Sequence, residues 1–378
     1  MKSVRKKLVK FSILYLLLLP LVIMGGMSYR AERQQVANRA LLVAINKNDT
    51  PAVVALLAKG ADANAQDWPP FAYWVRMNLR NRGYYAVHPA SALVMALEQP
   101  SENVGLAKIL LDAGACVDVT AGDNAPPLII AAQRAKRETV RLLLERGARI
   151  DARDNSGATA LHAAAGTQDL ALVQLLLIRG ARIDTRDFYG RTPLHVAARN
   201  GQWHTVGLLL AAGSRVNSRD LSGNTPLQWA AQSGSKDCVK LLLDAGALVN
   251  TQDKVGETPL SSAGNVDCMR LLLDRGAQVN HRGRYGQTPL DHAMHYDHID
   301  MMKLLLDRGA LVNAKNSSGE TPLFVAILSD QPDYVKLLLA RGAQLNIRSA
   351  DGYTPLKYAL RQRNPRLVKI LKQAGARE

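Results

Sequence analysis

The chain has 378 residues, of which 47% are hydrophobic and 21% charged, and this balance argues against long disordered regions. Aromatic residues make up only 5% and leucine and alanine are abundant, which favours helices over a β-sandwich. The formal net charge is +16. The three cysteines, Cys116, Cys238 and Cys268, form neither a disulfide framework nor the paired-cysteine pattern of a zinc site.

The amino terminus combines a basic flank over residues 1–10 with an uncharged stretch over 11–29, "FSILYLLLLPLVIMGGMSY". As a helix this stretch would span about 28 Å, enough for a bilayer core. It predicts a single-pass signal anchor with a cytoplasmic N-terminus and the rest of the chain on the exported side, the periplasm if the organism is bacterial. The alternative is a signal peptide that is cleaved near Gly26 and Ser28, giving a secreted protein. Residues 30–35 would be a linker.

A motif with a period of 33 residues fills the rest of the chain, as in "GRTPLHVAARNGQWHTVGLLLAAGSRVNSRD" (190–220) and "GNTPLQWAAQSGSKDCVKLLLDAGALVNTQD" (223–253). About ten copies cover residues 36–378. Thr-Pro predicts the start of a first helix, since Thr can cap it and Pro fits its first turn. A second helix carries the leucine triplet and ends at a glycine such as Gly213. One such pair cannot bury its apolar face alone, so the pattern predicts an all-α repeat solenoid.

These residues resemble the ankyrin repeat, in which T-P-L-H-x-A opens the first helix. The resemblance implies stacked helix-turn-helix units with short β-hairpin fingers along one edge. It also implies a non-catalytic protein that binds other proteins through its fingers and concave face. His162 and His195 occupy the histidine position of the motif. Other residues replace it elsewhere and predict weaker hydrogen bonding at those helix starts: Gln228, Ser261, Asp291, Phe324 and Lys357.

Three segments depart from the repeat. An insert over 68–87 mixes aromatic residues with arginines, as binding hot spots do, and it either binds a partner or folds back as a cap. The repeat at 254–283 is three residues short, so its first helix or turn should be clipped, leaving a notch that is either a docking groove or neutral. The last repeat, 350–378, predicts a C-terminal cap because Lys372 stands where earlier repeats carry leucine.

The predicted fingers carry basic and aromatic residues. Basic residues recur at one finger position: Arg153, Arg186, Arg219, Arg282, Lys315 and Arg348. The first three are followed by aspartates, which should offset them, and the last three are not, so the later fingers should present an unbalanced basic row that also includes Arg284. That row favours an acidic partner or an anionic membrane surface. Candidate partner-binding residues are therefore Trp68, Phe71, Trp74, Tyr84, Tyr85, Phe188, Tyr189, Trp229, Arg282, Arg284, Tyr285, His292, His295, Lys315 and Arg348.

The stretch "DHAMHYDHID" (291–300) concentrates histidines and aspartates. The repeat places Asp291 in the histidine position of the motif and His298 beyond a turn, so the ligand spacing of a zinc helix is missing. A polar, partner-facing patch is the favoured interpretation, and the alternative is a metal-binding or enzymatic protein that uses 291–298. A second alternative is an acidic or nucleic-acid partner on the basic fingers, although nucleic acid is not expected for an exported chain.

The sequence as a whole predicts a non-enzymatic interaction scaffold, monomeric and without a cofactor, that is tethered to or exported across a membrane. Its partner would be another protein whose identity the repeat pattern does not specify, because repeat scaffolds differ by a few surface residues.

Overall fold

A computed structural model describes residues 32–66, 90–118, 125–295, 299–349 and 351–377, apart from the side chain of His295. These ranges contain helices and turns, and the one β interaction among them is an isolated antiparallel bridge between Gln66 and Ser91. The prediction of an all-α repeat solenoid is confirmed. The fingers differ from the expected β-hairpins, because in the described ranges they are tight turns without assigned strands.

The chain divides into two compact units, Met1–Asn155 and Ser156–Glu378. In the first unit the described helices are α1 (32–46), α2 (Thr50–Ala58), α3 (Ala92–Glu98), α4 (Val104–Asp112), α5 (Pro127–Gln133) and α6 (Arg137–Glu145). Helix α3 packs on α4 and α5, and α4 packs on α6, so like helices of successive pairs stack on one another.

The second unit repeats the same pairing. Its helices are α7 (Ala160–Ala165), α8 (Leu170–Ile178), α9 (Pro193–Arg199), α10 (Trp203–Ala211), α11 (Pro226–Ser233), α12 (Lys236–Asp244), α13 (Val266–Asp274), α14 (Pro289–His295), α15 (Ile299–Asp307), α16 (Pro322–Leu328), α17 (Pro332–Ala340), α18 (Pro355–Arg361) and α19 (Pro365–Gln373). Each second helix contacts the next second helix, as α10 does α12, and each short first helix contacts the next first helix, as α9 does α11, except where the short repeat separates α11 from α14.

The interior of each repeat is built from small and branched apolar side chains. Ala197, Ala198 and Leu209 are fully buried, and the alanines let neighbouring first helices approach closely. Helix α10 ends before Gly213, which has φ +92°, the left-handed conformation that glycine adopts without strain. The buried faces of these helices are covered by the neighbouring repeats.

Asparagines tie neighbouring repeats together at the base of the fingers. Asn217 donates from Nδ2 to Gly246 O (3.2 Å) and accepts from Leu248 N (2.9 Å). Asn250, Asn280 and Asn313 make the same pair of bonds one repeat further on each time. These side chains satisfy backbone groups at the helix ends that the helices themselves leave open.

The short repeat lacks its first helix. Residues 259–262 form turns, whereas the second helix α13 is complete. The chain then runs against the preceding repeat, where Gly264 N donates to Ala231 O (2.9 Å) and Asn265 Nδ2 to Gly234 O (2.8 Å). The contacts of Gly264 and Asn265 therefore occupy part of the space that the missing residues would have left as a notch.

None of the helices in the described part of the chain combines the length and the apolar character that crossing a bilayer requires. The longest, α1, covers residues 32–46 and spans about 22 Å against a hydrocarbon core of about 30 Å. This finding contradicts the predicted single-pass membrane protein with a signal anchor. Segment 11–29, on which that location and the alternative of secretion after cleavage both depended, lies outside the described residues.

Candidate functional site

Each finger of the second unit is a tight turn closed by an aspartate or a substitute for it. In the finger at 187–190, Asp187 N donates to Arg191 O (2.9 Å), and the Asp187 carboxylate accepts from Tyr189 N (2.9 Å) and Arg191 N (2.8 Å). Gly190 has φ +76°, which the turn requires. Because the aspartate is consumed inside the turn, the two tip residues, Phe188 and Tyr189, project outward.

Successive fingertips are joined by backbone hydrogen bonds. Leu221 N donates to Tyr189 O (2.8 Å), Lys254 N to Ser222 O (2.9 Å), Arg284 N to Val255 O (2.9 Å) and Ser317 N to Tyr285 O (3.0 Å). Gly157 lies under the first tip, where an added Cβ would come within 2.6 Å of the Phe188 ring. The tips therefore form one hydrogen-bonded line and not separate mobile loops.

Large apolar side chains stand exposed along this line, and together they are called the fingertip row. Its members and their exposed fractions are Phe188 (63%), Tyr189 (60%), Leu221 (60%), Val255 (43%) and Tyr285 (59%). The structure brings together three predicted candidates, Phe188, Tyr189 and Tyr285. It adds Leu221 and Val255, which sequence reasoning missed because single aliphatic residues on a surface are ordinary. Their place in the two-residue tip of a finger was the available signal.

Basic side chains flank the fingertip row. Among the described residues of the six fingers at 186–190, 219–223, 252–256, 282–286, 315–319 and 348–352, exposed acidic residues are limited to Asp351. The exposed basic residues are Arg186, Arg219, Lys254, Arg282, Arg284, Lys315 and Arg348. The fingers therefore carry seven exposed positive charges against one exposed negative charge.

At the fingers of Asp187 and Asp220 the predicted local offset between arginine and aspartate does not occur in the form expected, because both carboxylates are buried. Asp187 is buried and pairs with Arg191 at 2.7 Å. Arg186 instead donates to Gly190 O and to Arg219 O in the next finger, and Arg219 donates to Gln252 O (2.7 Å). Carbonyl oxygens carry no net charge, so the bond of Arg219 to Gln252 O and that of Arg282 to Lys315 O do not offset the charge of either arginine.

Two further candidates lie beside the row in different surroundings. Trp229, expected on the outer surface, is half-buried and donates from Nε1 to Asp220 Oδ2 (3.0 Å), while the Arg199 guanidinium stacks 4.9 Å from its ring centroid. Arg348 donates to Gly352 O within its own finger (2.8 Å). Trp229 with Arg199 therefore forms an aromatic and basic patch on the first-helix side of the fingers.

The histidine-rich stretch is partly structural. Asp291 is buried and its Oδ2 accepts from Thr288 N (2.8 Å) and Thr288 Oγ1 (2.9 Å), so it caps helix α14 as the motif histidine does elsewhere. His292 is half-buried, with Nε2 3.0 Å from Glu257 Oε2. Burial disfavours ionisation of Glu257, yet His292, Ser261 and His281 outweigh burial and hold the pKa of this carboxyl below its usual value.

The Glu257 carboxylate also lies close to the position of a missing turn aspartate. The finger at 283–286 begins with Gly283, and a Cβ added there would lie 2.4 Å from Glu257 Oε1. The carboxylate of the short repeat thus reaches the region that an aspartate side chain occupies in the other fingers. Glu257 therefore lies between His292 and the turn at Gly283, and its contact with His292 is part of the packing of this finger.

Several predicted residues lie outside the described ranges. The side chain of His295, residue His298 and the whole insert with Trp68, Phe71, Trp74, Tyr84 and Tyr85 belong to this group. In the described part of the chain, no group of three or more histidine, cysteine, aspartate or glutamate side chains is arranged to hold a metal ion. Among the described residues of the fingertip row, no nucleophile lies beside a base.

Comparison with known proteins identifies one family. Residues 93–187, 164–253, 248–316 and 312–377 each match a family model described as ankyrin repeats in three copies. Together these matches cover residues 93–377, well over half of the chain. No curated protein matches the chain significantly.

Proposed function

Because the chain belongs to the ankyrin repeat family, whose members typically bind proteins and are not enzymes, we propose that it is a non-enzymatic scaffold that binds its partner through the fingertip row and the adjoining Trp229–Arg199 patch. The repeats position this surface, and the finger turns hold it in place. The partner is a protein, and the chain acts by binding the surface of that protein and not by catalysing a reaction.

The observation that carries this proposal is the exposed apolar row on successive hydrogen-bonded fingers. Each finger is preorganised by its own turn, so the row loses little conformational entropy when a partner binds. Aromatic residues and arginine are the residue types that contribute most at protein interfaces, and Tyr189, Tyr285 and Arg284 supply them. Exposed apolar residues at the two tip positions of successive fingers also lack a role in the core.

Site-specific photo-cross-linking in the cells that naturally express the protein tests the proposal. A photoreactive phenylalanine analogue replaces Tyr189 in the full-length chain. The matched control carries it in place of Leu311, which is exposed to 59% but lies outside the fingertip row. We expect a distinct cross-linked protein of constant mass from position 189 and not from position 311.

Two outcomes would contradict this function. Equal cross-linking from both positions would show that the row has no special role. The same cross-linked band, obtained from position 189 and unchanged when Phe188 and Tyr285 are both replaced by serine, would show that the row does not bind it.

A further inference from the structure

We propose that the fingertip row binds an extended acidic segment of the partner, in a polyproline II conformation, whose apolar side chains recur at every third residue. This inference rests on the proposed function and specifies the chemical class of the partner. The occupant follows from the charge, the side-chain types and the spacing of the row.

Charge selects an acidic occupant. The described fingers expose seven basic side chains and one acidic side chain, and the carboxylates of Asp187 and Asp220 are buried inside their turns. Lys254 and Arg284 stand at the tips themselves, beside Val255 and Tyr285. An acidic segment along the row would meet opposite charge at each finger, which speeds association and helps to fix the register of binding.

The apolar side chains favour a peptide over a nucleic acid. Leu221 and Val255 are aliphatic and provide no flat surface for a base, whereas single-stranded nucleic acid is held largely by aromatic stacking. Aliphatic and aromatic tips in one row can instead accept leucine-like side chains of a peptide. The partner segment therefore needs apolar residues as well as acidic ones.

Spacing selects the conformation. Successive second helices pack on one another, and packed helices lie about 8–10 Å apart, so equivalent tip residues, such as Phe188 and Leu221 or Val255 and Tyr285, recur at about that distance. In a β-strand, side chains on one face recur at about 6.6 Å. In polyproline II, with three residues per turn and a rise of about 3.1 Å, they recur at about 9.3 Å, which matches one finger per turn.

Peptide binding to the full-length protein tests the inference. Three fluorescent 15-residue peptides are compared by anisotropy: five repeats of Glu-Pro-Leu, the same residues in an order without period three, and five repeats of Lys-Pro-Leu. We expect the first to bind at least 10-fold more tightly than either of the others and to weaken as salt is raised. Equal binding of the reordered peptide would overturn the spacing, and equal binding of the lysine peptide would overturn the charge selection.

Variants locate the binding on the row. Replacing Leu221 and Tyr285 together by serine is expected to weaken the Glu-Pro-Leu peptide at least 10-fold, whereas Leu311→Ser, matched in exposure, leaves it unchanged. Exchanging Lys254 and Arg284 for glutamine should lower both the affinity and its salt dependence, and Lys240→Gln on the exposed side of α12 serves as control. Loss of binding in the control variants as well would assign the peptide to another surface.

The proposal and the proposed function can fail separately. A 15-nucleotide deoxythymidine oligomer that binds more tightly than the acidic peptide would overturn the peptide inference in favour of nucleic acid. Failure of all three peptides, together with position-specific cross-linking at 189, would overturn the inference about the occupant and leave the protein-binding function standing.

Discussion

The buried histidine at the start of a first helix forms hydrogen bonds to its own repeat and to the next one. The Nδ1 of His195 lies 3.1 Å from the donor Thr192 N and 2.9 Å from Thr192 Oγ1, and its Nε2 lies 3.2 Å from Asn224 O in the next repeat. Accepting at Nδ1 and donating at Nε2 requires a neutral ring. Burial accordingly lowers the pKa of His195 from 6.5 to about 4, although the Asn224 carbonyl opposes the shift.

His195 should make stability depend on pH. Its folded pKa of about 4 lies below the unfolded value of 6.5, so its contribution is present above pH 6.5 and is lost as pH falls towards 4. We expect a loss on the order of 3 kcal/mol across that window. The variant His195→Gln should lose less stability on acidification, and its free energy of unfolding near neutral pH should equal that of the unmodified protein. Urea unfolding at pH 7 and at pH 4.5 measures the free energy of unfolding under both conditions.

Glutamine is chosen for the His195 variant because Gln228 occupies the same position in the next repeat. It accepts from Thr225 N (3.0 Å) and donates to Glu257 O (2.9 Å), so an uncharged side chain forms the same two hydrogen bonds as the histidine. The expectation that hydrogen bonding weakens at every replaced histidine is therefore wrong at Gln228. If His195→Gln unfolded with unchanged pH dependence, the acid sensitivity would have to arise at other groups.

Thr321 shows the opposite outcome at the same position of the repeat. Phe324 replaces the histidine there, and the buried Thr321 Oγ1 has no hydrogen-bond partner. We expect Thr321→Val to raise the free energy of unfolding by about 1 kcal/mol, because it removes a buried hydroxyl that water can no longer solvate. Thr192→Val, whose hydroxyl contacts His195, should lower it by about as much, and thermal unfolding of both variants decides whether the missing partner is the cause.

The short repeat shows how a missing helix is accommodated at the scale of one element. Turns over 259–262 replace the first helix, and Gly264 takes the chain directly across the end of α11. A Cβ at Gly264 would approach the backbone oxygen of Gln232 to 2.6 Å, so glycine is needed for close approach and not for an unusual φ. The deletion and the glycine therefore belong together.

Gly264→Ala should destabilise the protein by about 2 kcal/mol, because a backbone oxygen cannot move aside as a side chain can. Gly207→Ala is the matched control within α10, where the added Cβ would meet Leu241 Cδ1 at an ordinary 3.8 Å. That control should gain about 0.5–1 kcal/mol from the higher helix propensity of alanine. Denaturant unfolding of both variants tests the pair, and equal effects would refute the close-approach argument.

At the scale of the molecule, the packing of helices in the second unit joins neighbouring repeats. Helix α10 packs on α8, α9 and α12, and α17 packs on α15, α16 and α19. Ion pairs follow the same rule: Arg275 pairs with Asp244, Arg308 with Asp274 and Arg341 with Asp307. These pairs are exposed, so each contributes little to stability, and the apolar contacts between neighbours dominate.

A core substitution should therefore have a local effect. Leu209 is fully buried in α10, and Leu209→Ala is expected to lower the free energy of unfolding by about 3 kcal/mol through the cavity it leaves. Hydrogen exchange should increase most in α8–α12 and least in α16–α19, because stability passes between adjacent repeats. A uniform increase across the second unit would show that it opens as one cooperative block.

The sequence by itself determined the helical repeat, its period and its core. Thr-Pro starts, alanine pairs, leucine triplets and glycine ends are local signals that recur along the repeats. The finger residues Phe188, Tyr189 and Tyr285 were also recognisable, because an aromatic at a turn tip has no place in the core.

Tertiary structure alone decided what each polar and exposed residue does. The partners of Asp187, Arg186 and Glu257 lie in the turn geometry or in the next repeat, so spacing along the chain could not show that the aspartates turn inward and leave the fingers basic. The same holds for Leu221 and Val255, which become a surface only when successive fingers are hydrogen-bonded into one line. Helix and turn propensity depends on consecutive residues, whereas the charge balance and the continuity of the surface depend on contacts between repeats about 33 residues apart.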